Sequence, residues 1–260
     1  MKKMYLVHSR IERNESIAPQ IFLMAVYAPE IAVDARAGQF VMVYLDSDKM
    51  LLPRPISLCD VIPSSGMITL VYQIVGGGTA QMSKMKTGES IRLLGPLGNG
   101  FLPKGKKNKR FKRVALVGGG IGAPPLYLLA KTLATRGTYA DIFLGFRSEP
   151  ILTEEFQTVA DRLFIATEEG GFHHRGLVTD ILQAHNRGYD EIMACGPKPL
   201  LRSLANFSEQ VDVPCQISME EHMACGLGTC VGCVVKVEGE YVRICCDGPV
   251  FYSNEVNFDG

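Results

Sequence analysis

Val114-Ala-Leu-Val117 runs directly into Gly118-Gly119-Gly120-Ile121-Gly122-Ala123-Pro124-Pro125, and a helical pattern spans Ala123–Arg136. A short apolar run closed by glycines reads as a buried strand that turns sharply into a helix. In that context Gly118, Gly119, Gly120 and Gly122 let backbone approach a pyrophosphate. The motif is not G-x-G-x-x-G, because proline stands where the third glycine would fall. Downstream, strand-like runs at Ile142–Phe146, Leu163–Thr167 and Ile192–Cys195 alternate with helical segments around Thr153–Ala160, Leu177–Ala184 and Lys198–Phe207. This alternation predicts a doubly wound parallel sheet with helices on both faces over residues 114–213.

Upstream the rhythm differs. Met4–Ile11, Ile21–Tyr27, Gln39–Leu45, Ile56–Cys59, Met67–Val75 and Ser90–Leu94 are rich in Val, Ile, Leu and Tyr, with Pro29, Gly38, Pro53, Pro63, Gly66 and Gly88 as punctuation. Many short strands with one helix predict a small antiparallel β-barrel over residues 1–103. Lys104-Gly-Lys-Lys-Asn-Lys-Arg-Phe-Lys-Arg113 joins the two parts. A basic run in that position reads as a solvated linker, with a docking patch for an acidic partner or a nucleotide phosphate as alternatives.

Two pieces of the barrel carry chemistry. Arg54-Pro55-Ile56-Ser57 is entered through Pro53. Its Arg can grip a phosphate bidentately, and Ser57, brought near the same face by the proline bend, can bond a polar ring edge. The other piece is Gly76-Gly77-Gly78-Thr79-Ala80-Gln81-Met82-Ser83, where Thr79 is expected to cap a short helix whose N–H groups face an anion.

Cys225-Gly-Leu-Gly-Thr-Cys230-Val-Gly-Cys233 stands near the C-terminus, and Cys245 and Cys246 follow it. C-x4-C-x2-C with a distant fourth cysteine is the plant-type ferredoxin spacing for a 2Fe–2S cluster. Gly226, Gly228 and Gly232 supply permissive backbone and leave amides for the cluster sulfurs. A structural zinc site and a set of buried thiols are the competing readings, although zinc ribbons usually pair two C-x2-4-C knuckles. Short strands at Cys215–Ser218, Cys233–Val237 and Tyr241–Cys245 predict a small β-rich 2Fe–2S domain over residues 214–260. It is too short for a core of any size, so cluster loss is expected to unfold it.

The totals narrow the function classes. The chain has 260 residues, enough for two domains or somewhat more, and Lys+Arg and Asp+Glu both number 27. That balance gives no argument for nucleic acid or for a membrane surface. No stretch is long enough to span a bilayer, and no signal-peptide pattern opens the sequence. The eight cysteines crowd toward one end, which fits reduced thiols in a cytoplasmic protein better than a secreted disulfide scaffold.

The barrel motifs in their order, R-P-I-S at Arg54–Ser57, then Val71-Tyr72-Gln73 running into Gly78-Thr79, then G-P-L-G-N-G-F, resemble the flavin domain of the ferredoxin–NADP reductase superfamily. The resemblance implies that Arg54, Pro55, Ile56, Ser57, Val71, Tyr72, Gln73, Gly78 and Thr79 hold FAD, with Ile56 standing where an aromatic residue is usual. The glycine turn followed by Cys195-Gly196-Pro197 is similar to that superfamily's nicotinamide domain, and implies a cysteine near the nicotinamide ring of NAD. From the residues alone, Cys195 reads as a buried strand-end thiol. Glu168 or Glu169 can bond a ribose, and Arg147 can receive a 2′-phosphate; His173-His174 reads as a surface pair.

With M-A-C-G-L-G-T-C-V-G-C and the terminal C-C-D-G-P-V-F added, essentially the whole chain resembles the electron-transfer-subunit family of dihydroorotate dehydrogenase type B. The resemblance implies Cys225, Cys230, Cys233 and Cys245 as cluster ligands, and Cys246 occupies a position where a polar residue is common. It also implies an FMN-containing catalytic subunit as partner, in a heterotetramer serving pyrimidine biosynthesis. Electrons would pass through the 2Fe–2S cluster and FAD to NAD+, with no catalytic acid or base in this chain. Related chains serve anaerobic sulfite reductases or ferredoxin-dependent NADPH oxidoreductases. A flavin-free relay or a zinc-stabilised binding module are the further alternatives.

Overall fold

A computed structural model of the chain describes residues 3–45, 51–101, 111–171, 174–186 and 188–258. The basic run at 104–110 and His173 lie outside the described residues. Contacts divide the chain into two units: Met1–Gly100 with Glu220–Val234 and Arg243–Pro249, and Phe101–Met219 with Val235–Val242 and Val250–Gly260.

In the first unit, β1 (Tyr5–Ala18) pairs with β2 (Ile21–Tyr27), which leads through α1 (Pro29–Asp34) to β3 (Phe40–Tyr44). Then come β4 (Arg54–Ile62), β5 (Met67–Gln73), α2 (Gly77–Met82) and β6 (Ser90–Leu97). The six strands close in the order β1-β2-β5-β4-β3-β6, and every pair is antiparallel. Period-two alternation turns Ile68, Leu70 and Tyr72 of β5 inward with Met24 and Val26 of β2, all buried. The barrel predicted from punctuation and β-branched runs is therefore present. The short helix α1, begun by Pro29 at its first turn, is an addition, because a single helical turn leaves no periodicity to read.

The second unit begins with β7 (Arg113–Gly119), α3 (Pro124–Ala134), β8 (Tyr139–Phe146), α4 (Thr153–Gln157), β9 (Arg162–Thr167) and the short β10 (His174–Arg175). It continues with α5 (Val178–Ala184), β11 (Glu191–Cys195), α6 (Lys198–Gln210) and β12 (Cys215–Ser218). A hairpin of β13 (Val234–Val237) and β14 (Glu240–Arg243) follows, then β15 (Val250–Tyr252). The main sheet runs β10-β9-β8-β7-β11-β12-β15. All its pairs are parallel except β12 with β15. From β7 the chain winds outward one way and from β11 the other. With right-handed crossovers this puts helices on both faces and a switch point at β7/β11.

One difference from the sequence reading concerns the C-terminus. Cys215–Ser218, assigned there to the cluster segment, pairs in register with Ile192–Cys195 as a strand of the main sheet. Val250–Tyr252 then adds to the same sheet as an antiparallel edge. Among the described residues no helix is long and apolar enough to cross a membrane.

A buried charge cluster holds the early parts of β8 and β9 together. Asp141, 1 % exposed, accepts from Arg162 Nε at 2.8 Å and from Arg162 Nη2, and from the Tyr189 hydroxyl at 3.0 Å. Burial opposes the carboxylate most, yet these donors outweigh it and hold its pKa below the ordinary value. Breaking a buried pair leaves the other charge uncompensated. Asp141→Ala is therefore expected to cost about 3–5 kcal/mol in urea unfolding at pH 7. A carboxylate with a depressed folded pKa stabilises above its unfolded value of about 3.9 and loses that contribution as pH falls through the folded one. The gap to wild type should narrow in strong acid; a gap independent of pH would show that packing, not charge, holds these strands.

Candidate functional site

Three constellations are built from the described residues. In the barrel, Arg54 opens β4 and its guanidinium lies over the first turn of α2. A Cβ on Gly78 would fall 1.8 Å from Arg54 Nε and 2.3 Å from Cζ, so only glycine admits the arginine there. Two motifs distant in sequence are thus brought together, and Arg54 Nη1 is steadied by the Leu52 carbonyl. The cap differs from expectation: Gly76 is the N-cap and Thr79 sits at N3. The Thr79 hydroxyl accepts the Val75 N–H at 3.0 Å and the Gly76 N–H at 3.4 Å, and lies 3.2 Å from the Gly76 carbonyl. It shapes the turn, while the N–H groups of Gly77, Gly78 and Thr79 belong to the helical turn that lacks carbonyl partners. Guanidinium and amides together suit a phosphate.

The other barrel residues are distributed along strands. Arg54, Pro55, Ile56 and Ser57 pair residue for residue with Val43, Met42, Val41 and Phe40. An unbroken register puts Arg54 and Ser57 on opposite faces, not the shared face that the proline bend suggested. Tyr72 points into the barrel, stacked on Phe22 at 5.9 Å, and donates its hydroxyl to Asn14 Oδ1 at 3.0 Å. Burial pushes that phenol up to about 12. Val71 is buried as well, and Gln73 is exposed. Asn14 was not legible as a site residue; its Nδ2 also donates to the Met82 and Met85 carbonyls at 2.8 Å each, fastening the end of α2 to β1.

In the α/β unit a cleft of about 430 Å³ opens at the C-terminal ends of β7, β8, β9 and β11, lined by Gly119, Gly120, Arg147, Glu168, Thr179 and Pro197 among others. This is where a doubly wound sheet takes its ligands, and the volume suits a nucleotide-sized molecule. The glycine turn is pressed against Cys195-Gly196-Pro197. A Cβ on Gly122 would lie 2.5 Å from the N and Cα of Gly196, and one on Gly119 would lie 2.9 Å from Pro197 Cδ. Close turn-to-turn packing thus accounts for these glycines, while Gly118 similarly admits Ala123. Gly120, with φ +53 and open space where a Cβ would be, is the one that needs left-handed backbone and faces the cleft. Cys195 is buried at the end of β11. Arg147 Nε donates to Glu169 Oε1 at 2.9 Å, so a carboxylate already faces the cation that could meet a 2′-phosphate. His174 is exposed on β10.

The cysteine loop belongs to the barrel's unit. Cys225 Sγ accepts the N–H groups of Leu227 at 3.3 Å and Cys230 at 3.5 Å. Burial opposes its thiolate most, but these amides, the Cys230 thiol and the Thr229 amide outweigh it and bring the group down to about 6. A second pair forms where the Cys245 N–H donates to Cys233 Sγ at 3.4 Å. Burial, and then the Cys233 and Cys246 thiols, push the Cys245 thiol up. Cys230 is exposed, whereas Cys233 and Cys245 are buried. Val231 between the ligand candidates is 61 % exposed and has φ +49, a costly conformation for a β-branched residue. Among the described residues no three His, Cys, Asp or Glu side chains gather into a single metal cage. Two thiol pairs suit two irons, each taking part of a four-cysteine set, better than the four corners of one zinc.

Comparison with known proteins agrees with this layout. Residues 220–257 match the family described as the iron–sulfur cluster binding domain of dihydroorotate dehydrogenase B. The chain is 39 % identical over 262 residues to the dihydroorotate dehydrogenase B (NAD(+)) electron transfer subunit of Bacillus pumilus, covering 98 % of each. It is 38 % identical over 251 residues to that of Clostridium perfringens, covering 96 % of this chain and 97 % of the relative. Among solved structures, an NADH-dependent reduced ferredoxin–NADP oxidoreductase superposes with a TM-score of 0.88 at 31 % identity, over 97 % of this chain and 91 % of that one.

The turn-to-turn contact is directly testable. In Gly122→Ala the added methyl meets backbone, which cannot swing aside, so a loss of about 1–3 kcal/mol is expected. For a unit of this size that lowers the melting temperature by about 2–4 °C per kcal/mol. Gly76→Ala, where φ is extended and no atom lies within 4 Å of the new Cβ, should melt with wild type. Equal melting of all three proteins would dismiss the contact.

Proposed function

This chain belongs to the family of dihydroorotate dehydrogenase B (NAD(+)) electron transfer subunits, and from that premise we propose that it carries electrons from a catalytic partner to NAD+. The partner is an FMN-containing subunit that oxidises dihydroorotate, the two forming a cytoplasmic heterotetramer in pyrimidine biosynthesis. FAD fits the barrel site, with Arg54 and the Gly77–Thr79 amides on its pyrophosphate. Pro55, Ile56, Ser57, Val71, Tyr72 and Gln73 belong to the strands beside it, Tyr72 through its backbone. NAD fits the cleft of the α/β unit against Gly119, Gly120 and Pro197, with Gly118, Gly122, Cys195 and Gly196 supporting the two turns behind them. Cys225 and Cys230, with Cys233 and Cys245, fit a 2Fe–2S cluster. Bound in this chain, a flavin converts between the paired electrons of a nicotinamide and the single electrons of an iron–sulfur cluster.

The observation that carries the reading is that flavin-type and cluster-type sites are built on one unit. A Cβ on Gly226 of the cysteine loop would lie 2.6 Å from Met42 Cγ and 3.1 Å from Leu97 Cδ1, both barrel side chains. This chain's residues bind, orient and insulate; none acts as acid or base on dihydroorotate. The Arg147–Glu169 pair, with Glu168 at the cleft, favours a free ribose hydroxyl over an added phosphate, hence NAD. The likeness to the ferredoxin–NADP oxidoreductase supports a second reading, in which the same parts serve a different partner.

Purified protein is expected to hold about two irons and about two acid-labile sulfides per chain. With the FMN partner it should pass electrons from dihydroorotate to NAD+; alone it should oxidise NADH only with an artificial acceptor. Cys233→Ser should keep the NADH reaction and lose transfer from dihydroorotate. A cluster-free variant that still reduced NAD+ from dihydroorotate would refute the relay. Arg54→Ala removes a charge-assisted contact of about 1.5–3 kcal/mol, so FAD affinity should fall about 10- to 100-fold. Gly78→Val should do the same by displacing the guanidinium, with little loss of stability because only a flexible tip must move. Undiminished FAD retention in both would place the phosphate elsewhere.

A further inference from the structure

Cys246 has no role in the relay as described, yet the turn that carries it is tightly held. Asp247 Oδ2 accepts the Arg243 N–H at 2.9 Å and Arg243 Nε at 3.3 Å. Asn99 Nδ2 donates to the carbonyls of Cys246 at 3.2 Å and Asp247 at 2.7 Å. On the facing loop, Arg243 Nη1 fixes the Gly228 carbonyl at 3.2 Å. Gly228 has φ +78, and a Cβ there would come within 2.6 Å of Cys246 Sγ. The glycine leaves a notch that the sulfur fills. So placed, Cys246 Sγ lies 3.7 Å from Cys245 Sγ, within reach of an S–H···S hydrogen bond in which either sulfur can be the donor; with Cys245 ligating as a thiolate, the proton is left to Cys246.

We infer that Cys246 is a positioning residue whose thiol donates a hydrogen bond to the Cys245 sulfur and thereby raises the reduction potential of the cluster. The inference rests on the reading of Cys245 as a ligand. A donor to a ligating sulfur draws off negative charge, and so favours the form carrying the extra electron. The two backbone anchors from Asn99 and the Gly228 notch fix where the Cys246 sulfur sits beside that of Cys245. A merely space-filling thiol would need neither. The donor, not the sulfur, is what matters, so a hydroxyl at the same place does the same work.

The test is an EPR-monitored redox titration of the flavin- and cluster-loaded protein in three forms: wild type, Cys246→Ala and Cys246→Ser. Cys246→Ala should keep its iron and sulfide but shift the one-electron reduction equilibrium about tenfold toward the oxidised cluster, about 59 mV lower in midpoint. Cys246→Ser, which retains a donor, should stay within about a third of that shift from wild type. An unmoved midpoint in Cys246→Ala, or equal displacement in both variants, would overturn the inference. So would loss of the cluster in Cys246→Ala with its retention in Cys245→Ser, which would make Cys246 the ligand. Zinc without sulfide in wild type would instead fail the cluster reading on which this rests.

Discussion

A loop that turns its thiols inward has little apolar surface left with which to build a core, so it must borrow one. Residues 220–234 and 243–249 draw theirs from the barrel. Gly226 has no side chain because Met42 of β3 and Leu97 of β6 occupy its place. Asn99, just beyond β6, fastens the carbonyls of Cys246 and Asp247. The cysteines proposed as cluster ligands therefore rest on the closed sheet. A site built on strands holds its geometry better than one built on a free loop, and an electron-transfer centre gains from little rearrangement on reduction.

The remaining C-terminal residues are anchored to the α/β sheet. The two-residue turn Glu238-Gly239 has positive φ at both positions, as a tight hairpin requires. Behind it, the Glu238 N–H donates to the Glu255 carbonyl at 2.7 Å and the Asn257 N–H to the Lys236 carbonyl at 3.0 Å. Beneath β15, Gln216 Nε2 donates to the buried Glu191 carboxylate, and Ser208 and Ser253 hydroxyls lie 3.4 Å apart. Burial pushes the Cys215 thiol up to about 12, despite its bond to Ser253. That cysteine is inert by environment. The sequence reading, which counted residues 214–260 as one segment stapled by metal alone, missed this support. Loss of the cluster should disturb the loop far more than the strands on either side of it.

Legibility in the sequence followed the range of the interactions. Strands and long helices were visible because period and punctuation are local. The pairing of Arg54 with the Gly76–Ser83 turn was expected from the family resemblance, because each motif by itself marks only a place for an anion. Cys215–Ser218 was visible as a strand, but its partner β11 was not, since four residues carry no record of the neighbour they choose. Asn14 and Asn99 were invisible for the same reason. They act through side-chain bonds to carbonyls 68 and 147 residues away, respectively, in the Met82 and Cys246 contacts. No spacing marks such a bond. Thr79 was read as a cap from its residue type, and only the backbone revealed that it reaches back from N3.

Glycine is the residue whose meaning changed most. Within Gly118–Gly122 the same letters answer to two different constraints. Gly122 and Gly119 are small so that one turn can lie on another, which sets the distance between the ends of β7 and β11. Gly120 is glycine because of its dihedral, and it lies at the cleft with open space where a Cβ would be. The first constraint creates the crevice and the second equips it. Counted from Gly120 and Gly122, the third glycine of the dinucleotide fingerprint falls at Pro125, and α3 accepts proline there because it lies in the helix's first turn. The turn that shapes the nucleotide-type cleft is thus packed on two sides at once, against Ala123 at the start of its own helix and against Gly196, more than 70 residues away in sequence.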